Sequence, residues 1–426
     1  DALTTGNYNV AMGHEALSAS ATDDSNTAIG NNALKVANGG AHNTAVGSAC
    51  LRSLTTGDFN VGVGSQTFDV HTTGNRNTAV GYAALNASTT GGDNVAIGFD
   101  ALNDVTTGYE NVAIGAYTLD ALTTGDSNVA IGHQALGANT ANGNVAVGYS
   151  ALKVNSTGTS NTAVGGNAGL ALTTASNSTA VGLNALKTCT TGGGNTAIGK
   201  QSMLSATTGY DNVALGYDAA SAMTTGYQNT ILGRSAGDSI TTGTGNTLVG
   251  YVSETSAAGG YNQVVLGNQV TGAGNNICTI GAGSSIAQLS LDGSDTSWAA
   301  SSDVRLKENI EDSSAGLSFI KELRPITYQW KAKKDVPTEM SQHEADSNEP
   351  CKGFGKTHHG FIAQEVKAVI DKYDSIKDGH NIWKVDDDGT QSLAPSALVP
   401  MLVKSIQELS TEVEELKSKS HDKCDK

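Results

Sequence analysis

Proline is scarce in this 426-residue chain, which holds only 5, while Gly reaches 52. Collagen is thereby excluded, because its triple helix needs Gly at every third position and abundant Pro. No run of about 18 apolar residues occurs, so no membrane-spanning helix is written into the sequence. The first residues, Asp1 to Asn9, have neither an initiating Met nor a basic segment leading into an apolar one. No secretory signal is read there, and the chain is expected to begin inside a longer protein. Basic residues are also few, 25 against 41 acidic, for a net charge of −16. That argues against nucleic-acid binding, which depends on Lys and Arg at the phosphates. The cysteines Cys50, Cys189, Cys278, Cys351 and Cys424 are odd in number and scattered. With no C-x-x-C pair, they support neither a disulfide framework nor a zinc site.

What charge there is lies unevenly. Residues 1–301 carry 18 acidic and 7 basic side chains, whereas residues 302–426 carry 23 and 18. Two different physical objects meet near residue 301. The first is rich in Thr, Asn, Gly and other small residues, and the second has ordinary globular chemistry followed by a charged helical end.

The first object is a repeat with the pattern T-T-G-x-x-N-[VT]-A-[VI]-G-x-x-A-L. Its strand Gly recurs every 17 residues from Gly13 to Gly132, steps by 16 to Gly148, and resumes at 17 through Gly267, giving sixteen coils. In a segment such as Asn111 to Gly115, Val and Ile fall on one face and Ala on the other, the period of a β-strand. Seven residues earlier, Thr-Thr-Gly (Gly57, Gly74, Gly91, Gly108, Gly125, Gly192, Gly209, Gly226, Gly243) is expected to supply a positive-φ corner. Ala-Leu pairs such as Ala33-Leu34 and Ala101-Leu102 add a second apolar contact per coil. So short a unit cannot bury its own apolar face and must stack on its neighbours. A β-solenoid on the order of 75 Å long is expected from strands spaced ~4.8 Å apart. The recurrent Asn at the strand start (Asn60, Asn77, Asn94, Asn111 and their equivalents) is expected to form an amide ladder along one edge, weakened at Ser178 and Gln263.

These Asn-Val-Ala-Ile-Gly-x-x-Ala coils resemble the head repeats of trimeric autotransporter adhesins and related repeats in phage fibres. The resemblance covers residues 1–281 and implies a trimer of β-rolls. Within the repeat, Gly194 to Lys200 mimics a phosphate-binding loop, but Gln201 stands where a magnesium-binding Ser or Thr belongs, and the repeat phase explains it. Aromatic and His residues recur after the strand Gly (His14, Tyr82, Phe99, His133, Tyr149, Tyr217, Tyr251) or after the turn Gly (Tyr109, Tyr210, Tyr227). Corner packing is favoured for these over receptor binding.

The second object reads Ser301-Ser302-Asp303-Val304-Arg305-Leu306-Lys307, then Leu323-Arg324-Pro325-Ile326-Thr327-Tyr328, His359-Gly360-Phe361-Ile362-Ala363-Gln364-Glu365-Val366 and Ser392-Leu393-Ala394-Pro395. Together these motifs closely resemble the C-terminal intramolecular chaperone of phage tailspikes, tail fibres and endosialidases, serine-peptidase family 74. The resemblance implies a domain that trimerises three chains, drives folding of the fibre upstream, and then removes itself. Its Ser-Asp-x-Arg-Leu-Lys motif matches Ser302 and Lys307, which implies catalysis by that pair and scission between Ser301 and Ser302. A Ser hydroxyl needs a base to become a nucleophile, and a desolvated Lys can serve.

His358 and His359 have no third ligand at a metal-binding interval and are read as structural. Asp386-Asp387-Asp388-Gly389 lacks a calcium loop's alternating ligands and reads as a hairpin turn. Val399, Leu402, Ile406, Leu409, Val413 and Leu416 alternate steps of three and four, a heptad seam.

The expected fold is mainly β: a trimeric β-solenoid shaft at 1–281, a connector at 282–301, a small α+β chaperone domain at 302–397 and a coiled-coil helix with tail at 398–426. The expected role is a phage tail fibre or spike, made in the host cytoplasm and carried on the virion. Its expected partners are two further copies of itself, a host-surface receptor with glycans as one class, and other virion proteins, with no cofactor, nucleic acid or membrane insertion. Two alternatives stand beside it. One is a polysaccharide depolymerase using shaft carboxylates such as Asp58, Asp93, Asp126 and Asp211, none of which forms a persuasive acid/base pair in sequence. The other is a bacterial trimeric adhesin, disfavoured because the C-terminus has no segment suited to a membrane anchor.

Overall fold

Each Val-Ala-Ile or Thr-Ala-Val triplet is a strand of three residues, from β1 (Val10–Met12) to β15 (Thr247–Val249), and β16 is lengthened to Val264–Asn268. The computed structural model describes residues 5–19, 22–291, 299–300, 304, 308–338, 340, 342–352, 356–374, 376–377, 382–385 and 389–424. The chain divides into two units, Asp1–Ser301 and Ser302–Lys426.

In the first unit the sixteen strands pair in parallel and in register. Val95, Ala96 and Ile97 face Val112, Ala113 and Ile114 one coil on, and the single short coil keeps Ala130 opposite Ala146. Alternation decides what lies inside. The central Ala of the strand is buried in coil after coil (Ala28, Ala96, Ala113, Ala197), and Leu34, Leu102, Leu136 and Leu186 from the following turn fill the space beside it. Val and Ile at the flanking strand positions point outward and remain partly exposed.

The expected positive-φ corner at Thr-Thr-Gly is not where the left-handed backbone falls. The strand glycines take it, Gly47 at 140° and Gly98 at 142°, together with ordinary residues such as His42 (60°), Ala49 (56°) and Leu51 (49°). An L-residue loses roughly 1–2 kcal/mol in that region. Stacking offsets this, since Leu51 N–H donates to Thr67 O at 3.0 Å and Ala49 N–H to Asn31 O at 2.8 Å. Gly57 and Gly74 are required for a different reason. A Cβ on Gly57 would lie 2.3 Å from Gly74 O, and one on Gly74 would lie 2.0 Å from Gly91 O. Close approach of successive coils, not φ, fixes these glycines.

The Asn ladder lies in the interior rather than along an edge. Asn94 N–H donates to Asn77 Oδ1 at 2.9 Å, and its Nδ2 donates to Gly108 O at 2.8 Å, with Asn94 itself fully buried. A second ladder runs beside it through the Thr-Thr-Gly corner, where Thr72, Thr89 and Thr106 hydroxyls donate to Thr89 O, Thr106 O and Thr123 O at 2.9, 3.0 and 3.0 Å. At Ser178 the amide ladder breaks: its N–H still reaches Asn161 Oδ1 at 3.0 Å, but its buried hydroxyl has no partner. Gln263 keeps the backbone link to Asn246 Oδ1 at 3.0 Å and turns its amide to Ser256 and Asn275.

The stack ends by shortening its step. β16 pairs in parallel with β17 (Ile277–Ala282), Val264 opposite Cys278, and β17 returns through Gly283 as the antiparallel β18 (Ser285–Ser290) with β19 (Ala299–Ala300) beyond it. The segment read as a loose connector therefore carries strands.

The second unit contains α1 (Leu317–Glu322), the antiparallel pair β20 (Ile326–Tyr328) and β21 (His358–Gly360), α2 (Ala363–Ile370), the antiparallel pair β22 (Trp383–Val385) and β23 (Gln391–Leu393), and α3 (Val399–Cys424). Val366, Val369 and Ile370 share one face of α2 by helical spacing and join Ala315, Phe319, Ile382 and Leu398 in a small core. The turn residues Asp386–Asp388 lie outside the described residues.

Candidate functional site

The residues expected to do chemistry open the second unit. Ser301, Ser302 and Lys307 lie outside the described residues; of the segment joining them only Val304 is described, and it is exposed. What the structure does describe is the scaffold that follows.

Helix α1 starts without a side-chain cap of its own. Glu408 of α3 supplies the acceptor instead, its Oε2 taking Leu317 N–H at 2.7 Å, and a Cβ on Gly316 would lie 2.3 Å from that same carboxylate oxygen. A negative charge there also suits the positive end of a helix. Residues 91 positions apart are thus joined. At the other end of α1, Glu322 accepts from Lys372 Nζ at 2.7 Å and from the Tyr373 hydroxyl at 2.9 Å, which together hold its carboxyl below the usual range. Arg324, leading into β20, donates to both oxygens of Glu365 on α2, with its Nε at 3.0 Å, and lowers that carboxyl in the same way. On the β20–β21 pair the His358 ring lies 5.5 Å from Tyr328 and 6.4 Å from Trp330, and its buried Nε2 has no partner among the described residues. His359 is exposed. Among the described residues no group of three or more His, Cys, Asp or Glu converges as a metal site, and no helix is long and apolar enough to cross a membrane.

Apolar residues of α3 lie on the surface. Val399, Leu402, Ile406, Leu409, Val413 and Leu416 are between 41% and 66% exposed within the single chain, far above what a core residue shows. On the shaft, three of the four carboxylates weighed for catalysis, Asp58, Asp93 and Asp126, are engaged in the stack. Asp58 accepts Ala41 N–H at 2.7 Å, Asp126 accepts Tyr109 N–H at 2.8 Å, and Asp93 pairs with Arg76 at 2.6 Å. The shaft aromatics pack coil on coil, Tyr82 on Phe99 with centroids 5.4 Å apart and Tyr210 on Tyr227 at 4.9 Å, while the Tyr109 hydroxyl donates to Thr90 O at 3.1 Å. The mimic of a phosphate loop is one more coil, running into β12 (Thr196–Ile198) with Lys200 directed over the Tyr217 ring.

Residues 302–374 match the family model described as chaperone of endosialidase, Peptidase_S74. The second unit is similar to that chaperone. The match opens at Ser302, the residue at which the structure divides into its two units. Among curated proteins none matches the chain. A sixteen-coil β-solenoid followed by a chaperone-type domain is the architecture that the sequence motifs implied for a tail fibre.

The long-range partners in the second unit, Glu408 with Leu317 and Arg324 with Glu365, were not visible in sequence. Only the seam of α3 carried a periodic signal that pointed to a helix.

Proposed function

We propose that this chain is the distal part of a phage fibre or spike, a homotrimer whose C-terminal domain gathers three chains, promotes closure of the shaft and then cuts itself away. The observation that carries the reading is the chaperone-family match beginning at Ser302, directly behind a repeat too short per coil to fold alone. Two unpartnered apolar surfaces support three copies. One is the outer face of the strands, where Ile97, Ile114 and Ile131 recur, and the other is the α3 seam, where Ile406 and Leu409 lie open. Each buries its apolar area only against another chain. The trimer would travel on the virion, joined to other virion proteins, and would present the shaft to a host-surface receptor.

The cut is a single turnover per chain. Ser302 Oγ attacks the Ser301 carbonyl carbon as its proton passes to Lys307 Nζ; the Ser301–Ser302 amide C–N bond breaks and the released Ser302 nitrogen takes up a proton. The resulting ester between Ser301 and Ser302 Oγ is hydrolysed by water, leaving a Ser301 carboxylate and a free Ser302. Lys307 must be neutral to act, and burial by the assembled trimer would lower its pKa, so cleavage would follow assembly.

On a denaturing gel, wild type gives two bands, whereas Ser302→Ala and Lys307→Ala each give one uncut band. Native mass spectrometry of the uncut variants gives a mass of three chains. Wild-type cutting in either variant would remove the pair from the mechanism.

A further inference from the structure

Four consecutive coils place Lys200, Tyr217, Arg234 and Tyr251 one residue beyond their strand glycines, so the four side chains stand in line on one edge of the shaft. Lys200 Nζ lies 5.5 Å from the Tyr217 ring centroid; Arg234 Cζ lies 5.5 Å from Tyr217 and 5.8 Å from Tyr251. Cations within about 6 Å of a ring are attracted to its face. Arg234 is thereby held by rings on both neighbouring coils. At the same phase in earlier coils the column carries rings without Lys or Arg, Tyr82 on Phe99 and His133 on Tyr149.

Among the described residues the shaft's ion pairs are Lys35–Glu15, Arg52–Asp69 and Arg76–Asp93. Lys200 and Arg234 therefore stand exposed without a carboxylate partner, and the Tyr217 and Tyr251 hydroxyls have no partner among those residues either. A guanidinium oriented by stacking keeps its donor fork ready for a carboxylate. The two cations are two coils apart, about 10 Å at the usual strand spacing, comparable with the length of a disaccharide. Across residues 1–301 acidic side chains outnumber basic ones 18 to 7, but residues 127–210, which lead into this edge, hold Lys153, Lys187 and Lys200 and no Asp or Glu, so a dense polyanion is repelled least there.

We propose that this edge binds an acidic polysaccharide whose carboxylates recur on every second sugar. Arg234 takes one carboxylate in a bidentate pair, Lys200 takes the next, and the two tyrosine hydroxyls bond to sugar hydroxyls between them. The proposal rests on the attachment reading above and names the receptor chemistry for it.

The test uses the full-length assembled protein on immobilised hyaluronan, which has this carboxylate spacing, at physiological ionic strength, with neutral dextran as control. Wild type is retained by hyaluronan and not by dextran. Arg234→Gln and Lys200→Gln each weaken retention about tenfold, the loss of one charge-assisted hydrogen bond. Arg234→Lys, which keeps charge without the fork, recovers only part. An unchanged thermal unfolding profile shows that the variants are folded. No retention of wild type, equal retention of the Lys200→Gln/Arg234→Gln double variant, or equal retention on double-stranded DNA would overturn the assignment. Attachment to host cells is scored separately: cells held equally by wild type and double variant would remove this edge while leaving the attachment reading in place.

Discussion

Gly62 and Cys50 share one space in the shaft core. A methyl group on Gly62 would lie 2.6 Å from Cys50 Sγ and 3.3 Å from the Phe68 ring. Gly62 is the centre of β4 (Val61–Val63), where most other strands have Ala, and Cys50 and Phe68 are both fully buried. The larger neighbours account for the smaller strand residue. Gly62→Ala is therefore expected to lower stability by about 1–3 kcal/mol through overpacking. Adding Cys50→Ala should restore part of that loss, and denaturant unfolding of the two single variants and the double variant measures the coupling.

The break in the amide ladder gives a prediction of opposite sign. Ser178→Asn replaces a buried hydroxyl that has no partner with an amide whose Oδ1 can accept Asn195 N–H, as Asn195 Oδ1 accepts Asn212 N–H, and is expected to stabilise the shaft by about 1 kcal/mol. Asn94→Ala, in the unbroken region, strands the Asn111 N–H and Gly108 O, at a cost of about 1–3 kcal/mol per buried group. Thermal unfolding of the two variants should shift in opposite directions.

Much of this fold was legible because a stacked coil repeats its constraints. The strand triplets, the inward Ala and the Asn position recur at one phase, so a sequence period is also a spatial ladder. The conformational detail was not legible. Leu51 and Ala49 adopt a left-handed backbone that neither residue favours, because hydrogen bonds to adjacent coils decide it. Gly57 looked like a φ-determined glycine, whereas the Gly74 carbonyl occupies the place a side chain would need and makes Gly necessary. In the second unit the antiparallel pairing of Trp383–Val385 with Gln391–Leu393 followed from the turn pattern between them. The Glu408–Leu317 bond could not, since it joins distant segments. The chemistry at Ser302 and Lys307 was read from a motif, and both residues lie outside the described ones.

A buried histidine and a half-buried glutamate in the shaft give opposing pH effects. His71 is fully buried, with Nδ1 3.1 Å from Ser88 Oγ and Nε2 3.0 Å from Gly74 O, and burial pushes its pKa below the ordinary value of 6.5. The unfolded chain then binds the proton more readily than the folded one, so stability is full above the ordinary histidine pKa and falls as pH drops toward the depressed value. Burial pushes Glu254 the other way, up to about 7, with Asp238 adding to the rise; its Oε2 accepts from the Ser239 hydroxyl at 2.6 Å and its Oε1 from Asp238 N–H at 2.8 Å. Its contribution is full below the ordinary carboxyl pKa of 4.5 and is lost as pH rises through about 7. Between these limits, His71→Asn should flatten the acid-side loss of stability, and Glu254→Gln should flatten the loss toward neutral pH. Chemical denaturation at a series of pH values separates the two slopes.

The seam of α3 tests whether assembly precedes scission. Ile406 and Leu409 are 66% and 48% exposed in the single chain, so an Asp at either position has little effect on an isolated helix. In a three-stranded coil the same changes would bury charges without partners, which are strongly unfavourable in an apolar seam. Ile406→Asp combined with Leu409→Asp is therefore expected to give single chains by native mass spectrometry. If burial in the trimer is what activates Lys307, those chains should also remain uncut on a denaturing gel. Trimers that persist in the double variant would exclude the seam as an assembly surface, and complete cutting of single chains would show that the Ser302–Lys307 pair is competent without assembly.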